Sequence, residues 1–334
     1  MSAQRLLRVA VVGATGAVGT ELLSLLESRR FPLQELLPIA TYRSVGDSVE
    51  LLGHEIPVAT DVSRLHDLDL AFLCMPRAEA LPWVRSALEG RVPCIDLSGA
   101  AAAAPEVPLL CADEPADPAI LDQPVLGNPG GVALAFVRVL RPIHERAGLR
   151  RLVTTSLESV SAAGRAGVSA LEAETVALFN QQEPPEPDVF GHGVAFDCLP
   201  ATGAAESEGR TGAETALAAD LARLLGSEVA TALTALRVPT FAGWGASLAL
   251  ETGAPLAPAE CSDLLAKTPG VRVWDEAELG PSTRGSVGGD DVLAGRIRAD
   301  ASVENGLLLW IAADPIRLAV SNALRLAEAR FAQG

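Results

Sequence analysis

Short apolar runs alternate along the first part of the chain with segments whose apolar residues recur at helical spacing. Residues 7–12, LRVAVV, read as a buried strand, 13–19, GATGAVG, as a turn, and TELLSLLESRR as an amphipathic helix. Further strands are predicted at LLPIAT, LDLAFLCMP, VPCIDLS and PVLGN, with EALPWVRSALEG as a helix among them. Strands alternating with helices predict a mostly parallel sheet with helices on both faces.

After Gly131 the pattern changes. Residues 132–147 predict a helix with Leu134, Val137 and Leu140 on one face. RRLVTTSLESVSAAG reads as one long strand, VSALEAETVALFNQQ as a helix and EPPEPDVF as a loop. GAETALAADLARLLG places Leu217, Leu221 and Leu224 at helical spacing. VATALTALRVP and GASLALETG read as strands, PAECSDLLAK as a short helix, and LAGRIRAD with GLLLWIAAD as a hairpin. IRLAVSNALRLAEARFA closes the pattern as an apolar-striped helix. The expected class is α/β: a Rossmann-type, mostly parallel dinucleotide-binding sheet, and an α+β domain whose long strands form a mainly antiparallel sheet. The expected boundaries are 1–130 with the C-terminal helix 315–334, and 131–314.

Composition narrows the partners. The 334 residues carry a formal net charge of -16, which argues against nucleic acid or an anionic membrane as partner. No run approaches the roughly 20 apolar residues of a membrane span, and the glycines at 13, 16 and 19 interrupt the first apolar stretch, so no signal peptide is read there. Cys74, Cys94, Cys111, Cys198 and Cys261 are an odd number without CxxC spacing, which suits a reducing cytoplasm. His54, His66, His144 and His192 show no metal-ligand spacing, so no metal site is expected.

The turn after the first strand has the spacing Gly13-x-x-Gly16-x-x-Gly19. In a strand–turn–helix unit such glycines allow a tight bend and let backbone approach a pyrophosphate at a helix N-terminus. Gly13, Thr15, Gly16, Ala17, Val18 and Gly19 are therefore the candidate cofactor residues; a plain tight turn is the competing reading. The second strand ends in ATYRS, without the acidic residue that would hold the ribose hydroxyls of NAD. Thr41, Arg43 and Ser44 suit a 2′-phosphate and so NADP; a solvated Arg43 is the alternative.

VAVVGATGAVGTELLSLLE, IATYRSVG, GRIRAD with GLLLWIAAD, and SNALRLAE together resemble aspartate-semialdehyde dehydrogenases from end to end. The closest resemblance is to a divergent bacterial paralogue group in that family whose members lack the usual active-site residues. The resemblance implies an NADP-dependent, phosphorylating semialdehyde dehydrogenase of amino-acid biosynthesis, cytoplasmic and homodimeric through the sheet of its second, substrate-binding domain. That chemistry needs a cysteine thiolate, a histidine base and cations for a carboxylate and a phosphate. On the family's pattern the nucleophile position is Gly131, within Asn128-Pro129-Gly130-Gly131-Val132, and the base position is Trp244. The phosphate-binding arginine falls near Ala101, and the loop against the cofactor becomes Cys74, Met75 and Pro76.

Arg237 and Glu214 keep their family types as substrate-binding candidates, and Glu158 stands where the family has glutamine. Leu217 replaces a lysine, and Asn322 matches an asparagine near the nicotinamide, with helix packing as its alternative role. No alignment slip restores the chemistry: no cysteine lies between 112 and 197 and no histidine beyond 192. The first reading is a family member inactive in the family reaction. The second is an oxidoreductase with altered chemistry through Cys74 or Glu158. The third is a non-enzymatic protein that senses NADP or binds a partner.

Overall fold

The computed structural model describes residues 5–40, 44, 46–60, 67–90, 92–274 and 280–332, and divides into two units, Met1–Gly130 with Ala319–Gly334 and Gly131–Leu318.

In the first unit β1 (Leu7–Val12) leads through the glycine turn into α1 (Ala17–Ser28), and β2 (Leu33–Ile39) follows. A small antiparallel hairpin, β3 (Ser48–Leu51) with β4 (His54–Pro57), comes next. β5 (Leu70–Leu73), α2 (Arg77–Leu88), β6 (Cys94–Asp96), the short α3 (Pro118–Leu121) and β7 (Val125–Gly127) complete the run. The sheet order is β2-β1-β5-β6-β7, and every pairing is parallel. β1, β5, β6 and β7 are short and almost wholly buried, which explains their mostly apolar sequence, while β2 is buried only over Leu36–Ile39. The order reverses at β1, so the carboxyl end of β1 is the switch point where open α/β sheets bind ligands.

The second unit begins with α4 (Gly131–Ala147), which feeds β8 (Leu149–Glu158). α5 (Gly164–Phe179), α6 (Gly212–Leu225), β9 (Ala230–Arg237), β10 (Trp244–Thr252), α7 (Pro258–Ala266), β11 (Val271–Val273), β12 (Val292–Asp300) and β13 (Gly306–Ala313) follow, and α8 (Pro315–Phe331) ends the order. The sheet order is β11-β12-β13-β10-β8-β9. β10 pairs antiparallel with β8 and β13, and β12 with β13, as expected for long strands with alternating burial. The edge pairs β8–β9 and β11–β12 are parallel instead, because helices intervene between β8 and β9 and a loop crossover separates β11 from β12. α4 packs between α6 and α7 and against β8, β12 and β13.

Two expectations change, and three elements were not predicted. RRLVTTSLESVSAAG is not one strand: β8 stops at Glu158 and a 3₁₀ turn, Val160–Ala163, follows, with the Val160 N–H bonded to the Thr240 carbonyl. The β3–β4 hairpin and α3 carried no signal in the pattern strong enough to predict them. The division between units falls inside α8, after Leu318, rather than ahead of it at 315.

Candidate cofactor turn and candidate ligand row

In the first unit the glycine turn is held close against the strand ends. Gly13 and Ala14 donate to the Ile39 carbonyl at 2.7 and 3.1 Å, and Cys74 donates to the Val12 carbonyl at 2.7 Å. Gly13 has φ +90°, and a Cβ there would lie 2.5 Å from the Cys74 carbonyl oxygen. A Cβ on Gly19 would lie 2.8 Å from the Ala14 Cα and closer still to the Gly13 carbonyl oxygen. Both glycines are thus required by close backbone approach. Gly16, by contrast, is exposed together with Ala17. No side chain caps α1 and no acid sits in its first turn, so its N–H groups and positive dipole end suit an anion. Thr15 and Ser44 come together, hydroxyl to hydroxyl, at 3.2 Å. Thr41 and Arg43 lie outside the described residues. The geometry fits a dinucleotide pyrophosphate against the turn.

Two candidates in this unit are otherwise engaged. Asn322 is fully buried; its amide donates to the Leu110 carbonyl at 3.0 Å and to Asn128 Oδ1 at 2.7 Å, and its Oδ1 accepts from the Ala112 N–H at 2.7 Å. Both hydrogens of its side-chain amide are committed to packing, which favours the helix-packing alternative over a cofactor contact. Burial, helped by the Asp96 carboxylate, pushes the Cys74 thiol far above its ordinary pKa, so it is no ready thiolate. Ala101 is also fully buried, its N–H bonded to the Asp96 carboxylate at 2.7 Å.

The second unit sets three candidates side by side. Glu158 at the end of β8 is the register partner of Arg237 at the end of β9 and of Trp244 at the start of β10. Register partners share a sheet face, so the row Arg237–Glu158–Trp244 crosses three strands and runs on to Ala313 on β13. The Arg237 guanidinium donates to the Ser159 carbonyl at 2.5 Å, lies 3.7 Å from the Glu158 carboxylate and sits 5.3 Å from the Phe190 ring. Burial raises the affinity of Glu158 for its proton; Arg237 opposes that shift and the Glu214 carboxylate adds to it. The buried Thr202 hydroxyl lies beside Glu158 and, like Arg237, favours its ionised form.

Glu214 does different work. It forms a capping box at the start of α6: one carboxylate oxygen accepts from the Thr211 N–H at 2.9 Å, while the Thr211 hydroxyl accepts from the Glu214 N–H. Its other oxygen accepts from the Ala235 N–H at 2.9 Å and so ties the helix to β9. Both oxygens serve the backbone, which favours a structural role over ligand contact.

Trp244 is 2% exposed and packs edge-on against Phe136 of α4 at 5.4 Å. Its indole N–H has no hydrogen-bond partner among the described residues. At the start of α4, Gly131 is buried, and a Cβ on it would lie 2.6 Å from the Pro315 Cα and closer still to that residue's carbonyl. Gly130 is exposed with open space around it. Ser159, Phe190, Thr202 and Pro315 escaped sequence reasoning. Phe190 ends a stretch that reads only as loop, and nothing local marks what Pro315 approaches.

Comparison with known proteins agrees with both halves of the architecture. Residues 8–116 match the family model "Semialdehyde dehydrogenase, NAD binding domain", and residues 140–318 match "Semialdehyde dehydrogenase, dimerisation domain". The class is thus that of the semialdehyde dehydrogenases. The aspartate-semialdehyde dehydrogenase of Aquifex aeolicus is 32% identical over 98% of this chain and 98% of its own, and that of Streptomyces akiyoshiensis 34% identical over 96% and 98%. The crystal structure of aspartate semialdehyde dehydrogenase II from Vibrio cholerae superposes with a TM-score of 0.91 at 29% identity, covering 97% of this chain and 98% of that one. A probable aspartate-semialdehyde dehydrogenase from Pseudomonas aeruginosa gives 0.90 at 31%, with the same coverage. The chain belongs to the aspartate-semialdehyde dehydrogenase family.

Proposed function

We propose that this chain is a cofactor-holding member of the family that does not run the family's thiol chemistry, and that it falls with paralogues lacking the catalytic cysteine. The observation that carries the reading is the packing at Gly131: the backbone of Pro315 takes the space a nucleophilic side chain would need. Trp244 supports it, because a buried indole packed on Phe136 offers no group that can take a proton. The raised pKa of Cys74 argues against that thiol as a substitute nucleophile. Loss of a covalent nucleophile alone costs roughly 10⁴–10⁶ in rate in comparable enzymes.

NADP is the proposed ligand of the first unit, held by the backbone of Gly13–Gly19 with Thr15 and Ser44 and, in the proposal, Thr41 and Arg43. NADP supplies hydride chemistry when bound; here the chain's own contribution is to bind and orient it. A homodimer through the second unit is supported by a half-buried band, Val153, Ala249 and Leu308, in register across three strands of its sheet. The cytoplasm is the proposed compartment, supported by five free cysteines, four of them buried.

Calorimetric titration with NADPH, then an assay with aspartate semialdehyde and phosphate at high enzyme concentration, tests the reading. Binding without turnover is expected. Turnover sinks the inactive reading, and absence of binding sinks the cofactor reading.

A further inference from the structure

The second unit carries a segment of one sign. Between Ala166 and Gly209 there are eight Asp and Glu residues and no Lys or Arg. Most of these carboxylates are exposed, among them Glu172 on α5, Glu183, Glu186 and Asp188 in the loop after it, and Asp197. The same segment exposes two aromatic rings, Phe179 at 74% and Phe196 at 68%, which meet edge to face with centroids 5.8 Å apart. Val176, also exposed, lies three residues before Phe179, and Glu172 four before that, so all three share one face of α5. Exposed apolar side chains that gather inside a polar rim mark an interaction surface.

The rings rest on a fixed support. One oxygen of the Glu174 carboxylate accepts from the Val194 and Ala195 N–H groups at 2.7 and 3.0 Å. Val194 and Ala195 pack in one cluster with Val160 and with Leu171 of α5. Beyond Phe196, Leu199 exchanges backbone hydrogen bonds with Arg237 of β9 at 2.9 and 3.0 Å. Held from both sides, Phe196 keeps φ +63°, a backbone conformation that a bulky residue rarely adopts. A surface fixed in this way loses little freedom when it is covered.

We propose that the Phe179–Phe196 face is a docking surface for a basic, apolar-anchored peptide segment of a partner protein. Apolar anchors of the segment cover the two rings and Val176, and its Lys or Arg side chains meet the carboxylates around them. Charge decides among the occupants. A second copy of this chain would set the same carboxylates against themselves, and the whole chain carries -16. Nucleic acid and an anionic membrane are repelled in the same way. A cationic segment is attracted, and its guanidinium or ammonium groups also suit exposed ring faces. The surface needs no cofactor and stands apart from the chemistry at Gly131.

The test is fluorescence anisotropy on the full chain with a labelled amphipathic peptide of Leu and Lys as the probe. A Leu–Glu peptide and a Ser–Lys peptide are the controls. The Leu–Lys peptide is expected to bind wild type, more weakly as salt rises, and both controls to bind at least about tenfold more weakly. Phe179→Ser and Phe196→Ser should each cost at least about tenfold in affinity, and so should Glu183→Lys combined with Glu186→Lys. Glu50→Lys combined with Glu55→Lys makes the same charge change on the exposed β3–β4 hairpin of the first unit and should leave affinity within about twofold. An equal loss in the two charge pairs reduces the binding to net charge and overturns the proposal. So does the absence of binding, or a Ser–Lys peptide that binds as tightly as Leu–Lys. Sedimentation velocity on wild type and Phe179→Ser tests the other occupant: a change of oligomeric state shows that a second copy covers the rings and overturns the peptide. If Phe196→Ser does not fold, Phe179→Ser, at the exposed end of a helix, decides alone.

Discussion

The backbone of Pro315 lies over the α-carbon of Gly131, so close that no Cβ fits between them. This is a backbone-to-backbone approach, and a rotamer change cannot relieve it. Gly131→Cys is therefore expected to force the start of α4 away from Pro315, at a cost of about 1–3 kcal/mol or more for overpacking. Gly130→Cys, exposed with nothing within 4 Å, should change stability by less than about 0.5 kcal/mol. Urea unfolding of the two variants measures the contrast, and equal midpoints would contradict it. Restoring the thiol should not restore dehydrogenase activity.

Trp244 anchors α4 to the sheet through Phe136. Trp244→Ala is expected to lose about 3–5 kcal/mol, the range for emptying a buried aromatic site. Thermal unfolding reads the loss. A drop below about 1 kcal/mol would show that the neighbours collapse into the space.

Gly19 is packed on the backbone of Gly13 and Ala14. Gly19→Ala should cost about 1–3 kcal/mol and weaken NADPH binding, because the turn must open to admit the methyl group. Gly16→Ala, where the nearest atom to an added Cβ is 3.3 Å away, should disturb the fold less. Calorimetry with NADPH on both variants checks the order.

Glu158 sets a slope of stability against pH. Folding raises its pKa from 4.5, so the folded chain holds the proton more tightly than the unfolded chain. The native state therefore loses stability at this group as pH rises above 4.5 toward the raised value. Glu158→Gln has no proton to lose there. Its stability relative to wild type is expected to climb with pH across that window, and denaturant midpoints over a pH series would show a constant difference if the shift is absent.

The strands and most helices were legible because each has a strong period. LRVAVV and GLLLWIAAD are buried in the structure as their patterns imply. The register that puts Arg237, Glu158 and Trp244 in one row was not legible, since it depends on strands 79 and 86 positions from Glu158 in the chain. Glu214 shows a different limit. Thr211 three residues before it is a capping-box signature, and that local signal describes the residue's hydrogen bonds better than the resemblance did. Gly131 could be read only as a missing side chain; that backbone from residue 315 fills the space is a tertiary fact with no local trace.

The Asn128–Asn322 bond joins residues 194 positions apart. On a ribosome the parallel sheet of the first unit is made early, yet one of the side chains that locks it emerges only after the whole second unit has been synthesised. Order of birth and order in space differ, so a nucleotide that needs the locked first unit meets it only once residue 322 is out. Until then the Leu110 carbonyl and Asn128 Oδ1 lack the amide that ties them together in the folded unit.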